Sequence, residues 1–190
     1  MKPIRLTEKN MANKLFYKNE QKILIAYFKF KDYPCAKRIA RHAGISRSTL
    51  HRHHKTAHDI PRDYEEYLFR VYARKMKKLL AKEDTNLKNI FLYFLVFITG
   101  NREIFKTLFQ DERKNIIKKM LQFLKPQIIT NWGTSSNSEQ IFSVYENAIL
   151  GVIEIWGEHG FSDDDLAIVL DDIMYLTRTA RHNLLPLKNL

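Results

Sequence analysis

From residue 37 to residue 55 the chain reads KRIARHAGISRSTLHRHHK, and hydrogen-bond donors crowd this run at fixed offsets from apolar residues. Ile39, Ala43, Ile45 and Leu50 are spaced to hold two short helices together. Ala40 is small where those helices approach, and Gly44 permits the reversal between them. Ser46 offers a side-chain oxygen to cap a second helix over residues 47–55. That helix carries Arg47, Ser48, Thr49, His51, Arg52, His53 and Lys55 but few apolar residues. One anchored face and one face of donors suit a helix that reads base edges in a DNA major groove. Arg47 or Arg52 can pair bidentately with guanine, and the Thr49 methyl can meet thymine. His53 and Lys55 suit phosphates, which fix position rather than sequence. The competing reading is a helical hairpin with a solvated polar face.

Charge is distributed in favour of the first reading. The 190 residues carry a net charge of +11. Residues 1–82 hold 21 Lys+Arg against 7 Asp+Glu, a net +14, whereas residues 83–190 hold 11 against 14, a net −3. Positive potential confined to the half with the donor-rich run is the footprint of phosphate-backbone binding. A hydrophobic fraction of 45% is enough for a real core.

Other chemistries find little support. The single cysteine, Cys35, rules out a disulfide framework within the chain and favours a reducing cytoplasm. His54 and His58 stand four apart, a spacing that could serve zinc, but a turn and Pro61 intervene and no cysteine or carboxylate stands at ligand spacing. No metal and no cofactor are expected. There is no P-loop, G-x-S-x-G or H-E-x-x-H, so an enzyme is not expected. The N-terminal MKPIRLTEKN lacks the apolar core of a signal peptide. The apolar run over residues 90–98 is far shorter than the ~20 residues of a membrane-spanning helix. A cytoplasmic protein with no membrane partner is the expectation.

The elements that must position the donor run are all helical. Periodicity predicts a first helix over residues 14–31, with Ile23, Leu24, Tyr27, Phe28 and Phe30 as its apolar stripe, and helices over 35–43 and 46–55. Thr56 and Asp59 have capping-box spacing, and Pro61 places the start of a connector helix near itself. The connector runs to Leu80. Further helices are expected over 87–97, 103–109 and 111–129, the last with Pro126 inside it. A loop, NWGTSSNS, fills 131–138. Ser138 should cap a helix reaching Glu158, and Ser162 a final one with Asp163, Asp164 and Asp165 in its first turn. The fold class is therefore all-α: a three-helix DNA-binding head over 1–60, joined by the connector to an all-helical body over 61–190.

IARHAGISRSTLHRHH, with this order of helices, resembles the TetR family of bacterial transcriptional regulators, whose pattern is I-A-x-x-A-G-V-S-x-x-T-L-Y-x-H-F. GVIEIWGEHGFS is similar to the end of the penultimate helix in many members. His51 stands where the family usually has Tyr, His54 where it has a Phe that plugs the head, and Ala57 where many members carry a Lys. The resemblance implies that Arg47, Ser48, Thr49, His51, Arg52 and His53 meet double-stranded DNA at a palindromic operator. It also implies a homodimer held by the last two helices, over 138–158 and 162–184, whose apolar stripes (Ile141, Val144, Ala148, Val152 and Ile155; Leu166, Val169, Ile173 and Leu176) would form the seam, and a repressor released by a small-molecule effector bound in the body. Phe91, Phe94, Phe105, Trp132, Tyr145 and Trp156 either line that pocket or fill the core, since aromatics at helical spacing do both. At pH below the range of free histidine, a neutral His54 in the core should cost the head stability, while His51 or His53 facing phosphate should strengthen binding. A helical protein-interaction or non-specific nucleic-acid-binding protein without an effector is the alternative.

Overall fold

The computed structural model describes residues 14–30, 34–82, 85–110, 115–133 and 136–184. Among these the chain is all-α, with nine α-helices and no strand. We number them α1 (Lys14–Lys29), α2 (Ala36–Ala43), α3 (Arg47–His53), α4 (Ile60–Leu80), α5 (Leu87–Thr99), α6 (Arg102–Gln110), α7 (Asn115–Trp132), α8 (Ser138–Glu158) and α9 (Leu166–Leu184). Two compact units, Met1–Arg70 and Val71–Leu190, divide inside α4 and not at residue 60. The expected break at Asp32-Tyr33, the start at Asp111 and the N-terminal decapeptide lie outside the described residues.

In the first unit, α1 buries Ile23, Leu24, Ala26 and Tyr27, the i, i+1, i+3, i+4 set of one helical face. Ile39, Ala40 and Ala43 of α2 and Leu50 of α3 complete that core. The reversal between α2 and α3 is set by backbone chemistry. Gly44 takes φ +65°, a left-handed conformation that costs glycine little. Its N–H donates to the Arg41 carbonyl at 3.2 Å and the Ile45 N–H to the Ala40 carbonyl at 3.0 Å, the paired bonds of a Schellman motif that satisfy carbonyls at the helix end. Ser46 then accepts the Thr49 N–H on its Oγ at 3.0 Å and starts α3.

The conflict between the Thr56–Asp59 capping pair and Pro61 resolves in the geometry. Residues Ala57–Asp59 form a single 3-10 turn, with Thr56 N–H and Oγ–H both donating to Asp59 Oδ2 at 3.1 and 2.8 Å. α4 begins only at Ile60, which puts Pro61 in the first turn, where its missing N–H costs no helical bond.

In the second unit, α5 is buried at Leu87, Ile90, Phe91, Phe94, Leu95, Phe97 and Ile98, as its nearly all-round apolar sequence requires. α7 runs on through Trp132 into the segment expected to be loop, because the indole packs against Phe142 and Tyr145 with ring centroids 6.2 and 5.7 Å away. Two start signals were misread. Ser138 lies inside α8, its hydroxyl donating to the Gly133 carbonyl at 3.4 Å. α9 starts at Leu166, four residues after Ser162, so the three aspartates precede the helix. The cause is Phe161, which follows Gly160 into the left-handed region at φ 53° and buries its ring against Phe105, Phe109 and Trp156. Residues 162–165 are then spent turning the chain. Ser162 accepts the Asp164 N–H on its Oγ, and its carbonyl accepts the Trp156 indole N–H at 2.9 Å.

Candidate nucleic-acid interface

α3 is seven residues long and buries two of them, Leu50 and His53. Arg47, Ser48, His51 and Arg52 are exposed and Thr49 is half-buried; Lys55, just past the helix end, is exposed too. Ser46 Oγ lies 2.8 Å from both Ser48 Oγ and Thr49 Oγ1, so three hydroxyls cluster at the start of α3. Arg52 reaches back to Thr49 Oγ1 at 3.4 Å. Residues 33–58 contain six Lys or Arg and no Asp or Glu. Nearby, the Arg38 guanidinium sits 4.5 Å over the Phe30 ring, and His42 meets the same ring edge-on. The Cys35 thiol, exposed at the start of α2, is lowered below the usual thiol range by the backbone N–H groups of Arg38 and Lys37.

The two adjacent histidines behave differently from expectation. His53 does not face outward toward phosphate: it is buried, with Nδ1 hydrogen-bonded to Glu20 Oε1 on α1. His54 is buried at the position of the expected apolar plug, yet it is not held neutral. Its Nε2 lies 3.0 Å from Glu20 Oε2 and its Nδ1 3.3 Å from Asp63 Oδ2 on α4. Burial by itself would lower the His54 pKa, but the bonds to Asp63 and Glu20 outweigh it and raise the value to about 9. The expected acid-side instability is thereby reversed. Burial likewise opposes ionisation of Glu20, and the bonds from His53 and His54 overcome it, holding the carboxyl below its ordinary range.

Sequence reasoning missed Glu20 and Asp63 altogether. A signal for Glu20 was present: it stands three and four residues before Ile23 and Leu24, on the apolar face of α1, where an unpaired carboxylate would be costly. His58 is exposed on the 3-10 turn, and no group of three His, Cys, Asp or Glu suited to a metal ion occurs among the described residues.

Of the six aromatic residues weighed for an effector pocket, five go to the core. Phe91, Phe94, Phe105, Trp132 and Trp156 are buried and Tyr145 is half-buried. Two concavities among the described residues of the body have other walls. One, of about 680 Å³, is lined by Leu80, Lys82, Leu87, Ile90, Gln127 and Arg181 among others, and a second, of about 460 Å³, by Leu79, Asn89, Leu92, Tyr93 and Val96 among others.

The expected pairing face of α8 is only partly covered: Val144 and Ile155 are exposed, at 67 and 59%, and a Cβ added at Gly151 would meet nothing within 4 Å. On α9 the stripe differs from expectation. Val169 and Ile173 point inward, while Ile168 and Tyr175, 62 and 65% exposed and two turns apart, face out.

No helix among the described residues is long and apolar enough to cross a membrane. No protein family, no curated protein and no solved structure matches this chain.

Proposed function

We propose that this chain is a cytoplasmic, dimeric, sequence-specific DNA-binding regulator of transcription, with α3 as its reading helix. The observation that carries the reading is the exposed face of α3. It presents Arg47, Ser48, His51 and Arg52, with Thr49 beside them, in a segment that has no carboxylate in its sequence from residue 33 to residue 58. Such a face meets phosphates without repulsion and still has donors left for base edges. Arg47 and Arg52 supply forked donors for guanine, Thr49 a methyl for thymine, and Lys55 a charge for the backbone. The resemblance to TetR regulators, with the exposed Val144, Ile155, Ile168 and Tyr175, supports a homodimer through α8 and α9. Two-fold pairing in turn calls for a palindromic site with half-sites about one DNA turn, ~34 Å, apart. On the same resemblance, the regulator is a repressor that a small molecule binding in the second unit releases.

The test is enrichment of short duplexes from random sequence by the whole protein at moderate salt. The expected result is a palindromic consensus that Arg47→Ala or Thr49→Ala binds with ~1–3 kcal/mol less affinity, while binding to random duplex is nearly unchanged. Lys55→Ala should weaken all duplexes alike and flatten the salt dependence. Enrichment of no consensus, with uniform retention of all duplexes, would replace this reading with non-specific nucleic-acid binding.

A further inference from the structure

A neutral imidazole has one N–H and one lone pair. Both nitrogens of His54 face carboxylate oxygens, Glu20 Oε2 on one side and Asp63 Oδ2 on the other. A neutral His54 would aim its lone pair at one of these anions; imidazolium donates to both. The second oxygen of Glu20 takes the Nδ1 contact of His53. The two oxygens of one buried carboxylate therefore hold the last residue of α3 and the residue that caps it. Asp63 grips the cap from α4, and its remaining oxygen lies 3.4 Å from Arg62 Nη2, which also pairs with Asp59 at 2.7 Å. Glu20 and His54 are each 1% exposed, so water does not substitute for a lost partner. Hydrophobic packing alone could have closed this end of the head. Instead, three helices, α1, α3 and α4, are joined there by charge.

We infer that Glu20 and Asp63 are positioning residues for the reading helix: acting through His53 and His54 they set the end of α3 on the head, and DNA affinity follows the charge state of His54. The first half rests on geometry; the second rests on the DNA-binding reading proposed above. Base readout demands that donors be held to a fraction of an ångström, and a shifted last turn moves His51 and Arg52 directly. Loss of the His54 proton turns an imidazole lone pair toward one of its two carboxylates, buried Glu20 or half-buried Asp63, an arrangement relieved by moving the helix end or admitting water. The proton is held to about pH 9, so the affected range is alkaline, well above the ~6.5 of free histidine.

Two measurements on the whole protein test this. The first needs no DNA. With ¹⁵N-labelled histidine, both His54 ring nitrogens should stay protonated until about pH 9, and Glu20→Gln should bring that titration down. A His54 that titrates below pH 7 overturns the clamp. The second uses the duplex most enriched by the wild-type protein at pH 7. Wild-type affinity should fall about tenfold between pH 7 and pH 9.5, the scale of one misplaced base contact. His54→Phe, whatever its affinity at pH 7, should show no such fall. Glu20→Gln should be weakened about tenfold already at pH 7, and the conservative Asp63→Glu should keep the wild-type profile. Identical profiles for wild type and His54→Phe overturn the positioning role. If Glu20→Gln does not fold, the comparison of His54→Phe with wild type still decides. Intact His54 titration without any enriched duplex refutes the DNA-binding reading and, with it, the dependence of affinity on His54, but leaves the clamp standing.

Discussion

Replacing Tyr72 by phenylalanine should make this protein more stable, against the usual direction of core substitutions. Tyr72 lies on α4 within the second unit and is fully buried. Its ring packs edge-on against Phe97, Phe94 and Phe123, with centroids 5.4, 6.1 and 6.1 Å away. Its hydroxyl has no hydrogen-bond partner among the described residues. Burial, with a smaller contribution from Tyr93, pushes the phenol pKa well above its ordinary value, so the group stays neutral. A buried hydroxyl without a partner costs about 1–3 kcal/mol relative to its hydrated state in the unfolded chain. Deleting one oxygen leaves a void smaller than a methyl group, which costs less than about 1 kcal/mol. The three ring contacts survive unchanged. The net gain is therefore about 1 kcal/mol, equivalent to a rise of about 2–4 °C in Tm for a chain of this size. Thermal unfolding followed by far-UV circular dichroism at neutral pH reads it, with Tyr72→Leu, which forfeits the ring contacts, as the destabilised control. A Tm for Tyr72→Phe more than about 2 °C below wild type would show that the hydroxyl is paired, and would refute the reasoning.

Other expected outcomes follow from single features. Gly157→Ala should destabilise by about 1–3 kcal/mol in urea unfolding, because its Cβ would lie 2.9 Å from two Phe109 ring atoms and 3.0 Å from Phe161. Ser46→Ala removes the acceptor of the Thr49 N–H and should cost about 1 kcal/mol, with amide exchange in residues 47–53 rising first. Ile155→Asp should turn the proposed dimer into a monomer in sedimentation without lowering helix content, since Ile155 is exposed in the single chain; a variant that remains dimeric rules out this face. The stability of the head should be greatest in mildly acidic solution. His54, raised to about 9, contributes fully below the free value near 6.5, and that contribution is lost as pH rises through 9; Glu20, lowered below 4.5, contributes above 4.5 and is lost as pH falls through its folded value. Urea midpoints across the pH range measure both limbs, and a midpoint for His54→Phe that still declines above pH 7 would count against the alkaline one.

Local rules made α3 legible. Ala40, Ala43, Gly44 and Ile45 encode a helix end closed by two backbone hydrogen bonds, and Ser46 with Thr49 encodes the next start; all of that chemistry spans ten residues. The all-α character followed from apolar periodicity in the same way. Failures came where a partner distant in sequence decided the outcome. His53 and His54 take their roles from Glu20, 33 and 34 residues earlier, and nothing in their own neighbourhood distinguishes a phosphate ligand or a neutral plug from one end of a buried ion pair. The Ser162–Asp165 signal was overruled by burial of Phe161, which forces the chain through two left-handed residues before α9 can begin. The seam stripe expected on α9 turned inward at Val169 and Ile173, because Ile168 and Tyr175 are apolar as well and periodicity alone cannot choose between two overlapping stripes.

The position of Asp63 has a consequence for how this molecule can be cut and recombined. A fragment ending at residue 60 would contain α1, α2, α3, Glu20 and both histidines, but it would leave one nitrogen of His54 without its carboxylate partner. Its imidazolium would then face one carboxylate where two are needed. The smallest transferable head therefore includes the first turns of α4, in accord with the division of the chain at Arg70. A chimera that grafts α3 onto another body inherits a complete part only if the junction lies downstream of Asp63.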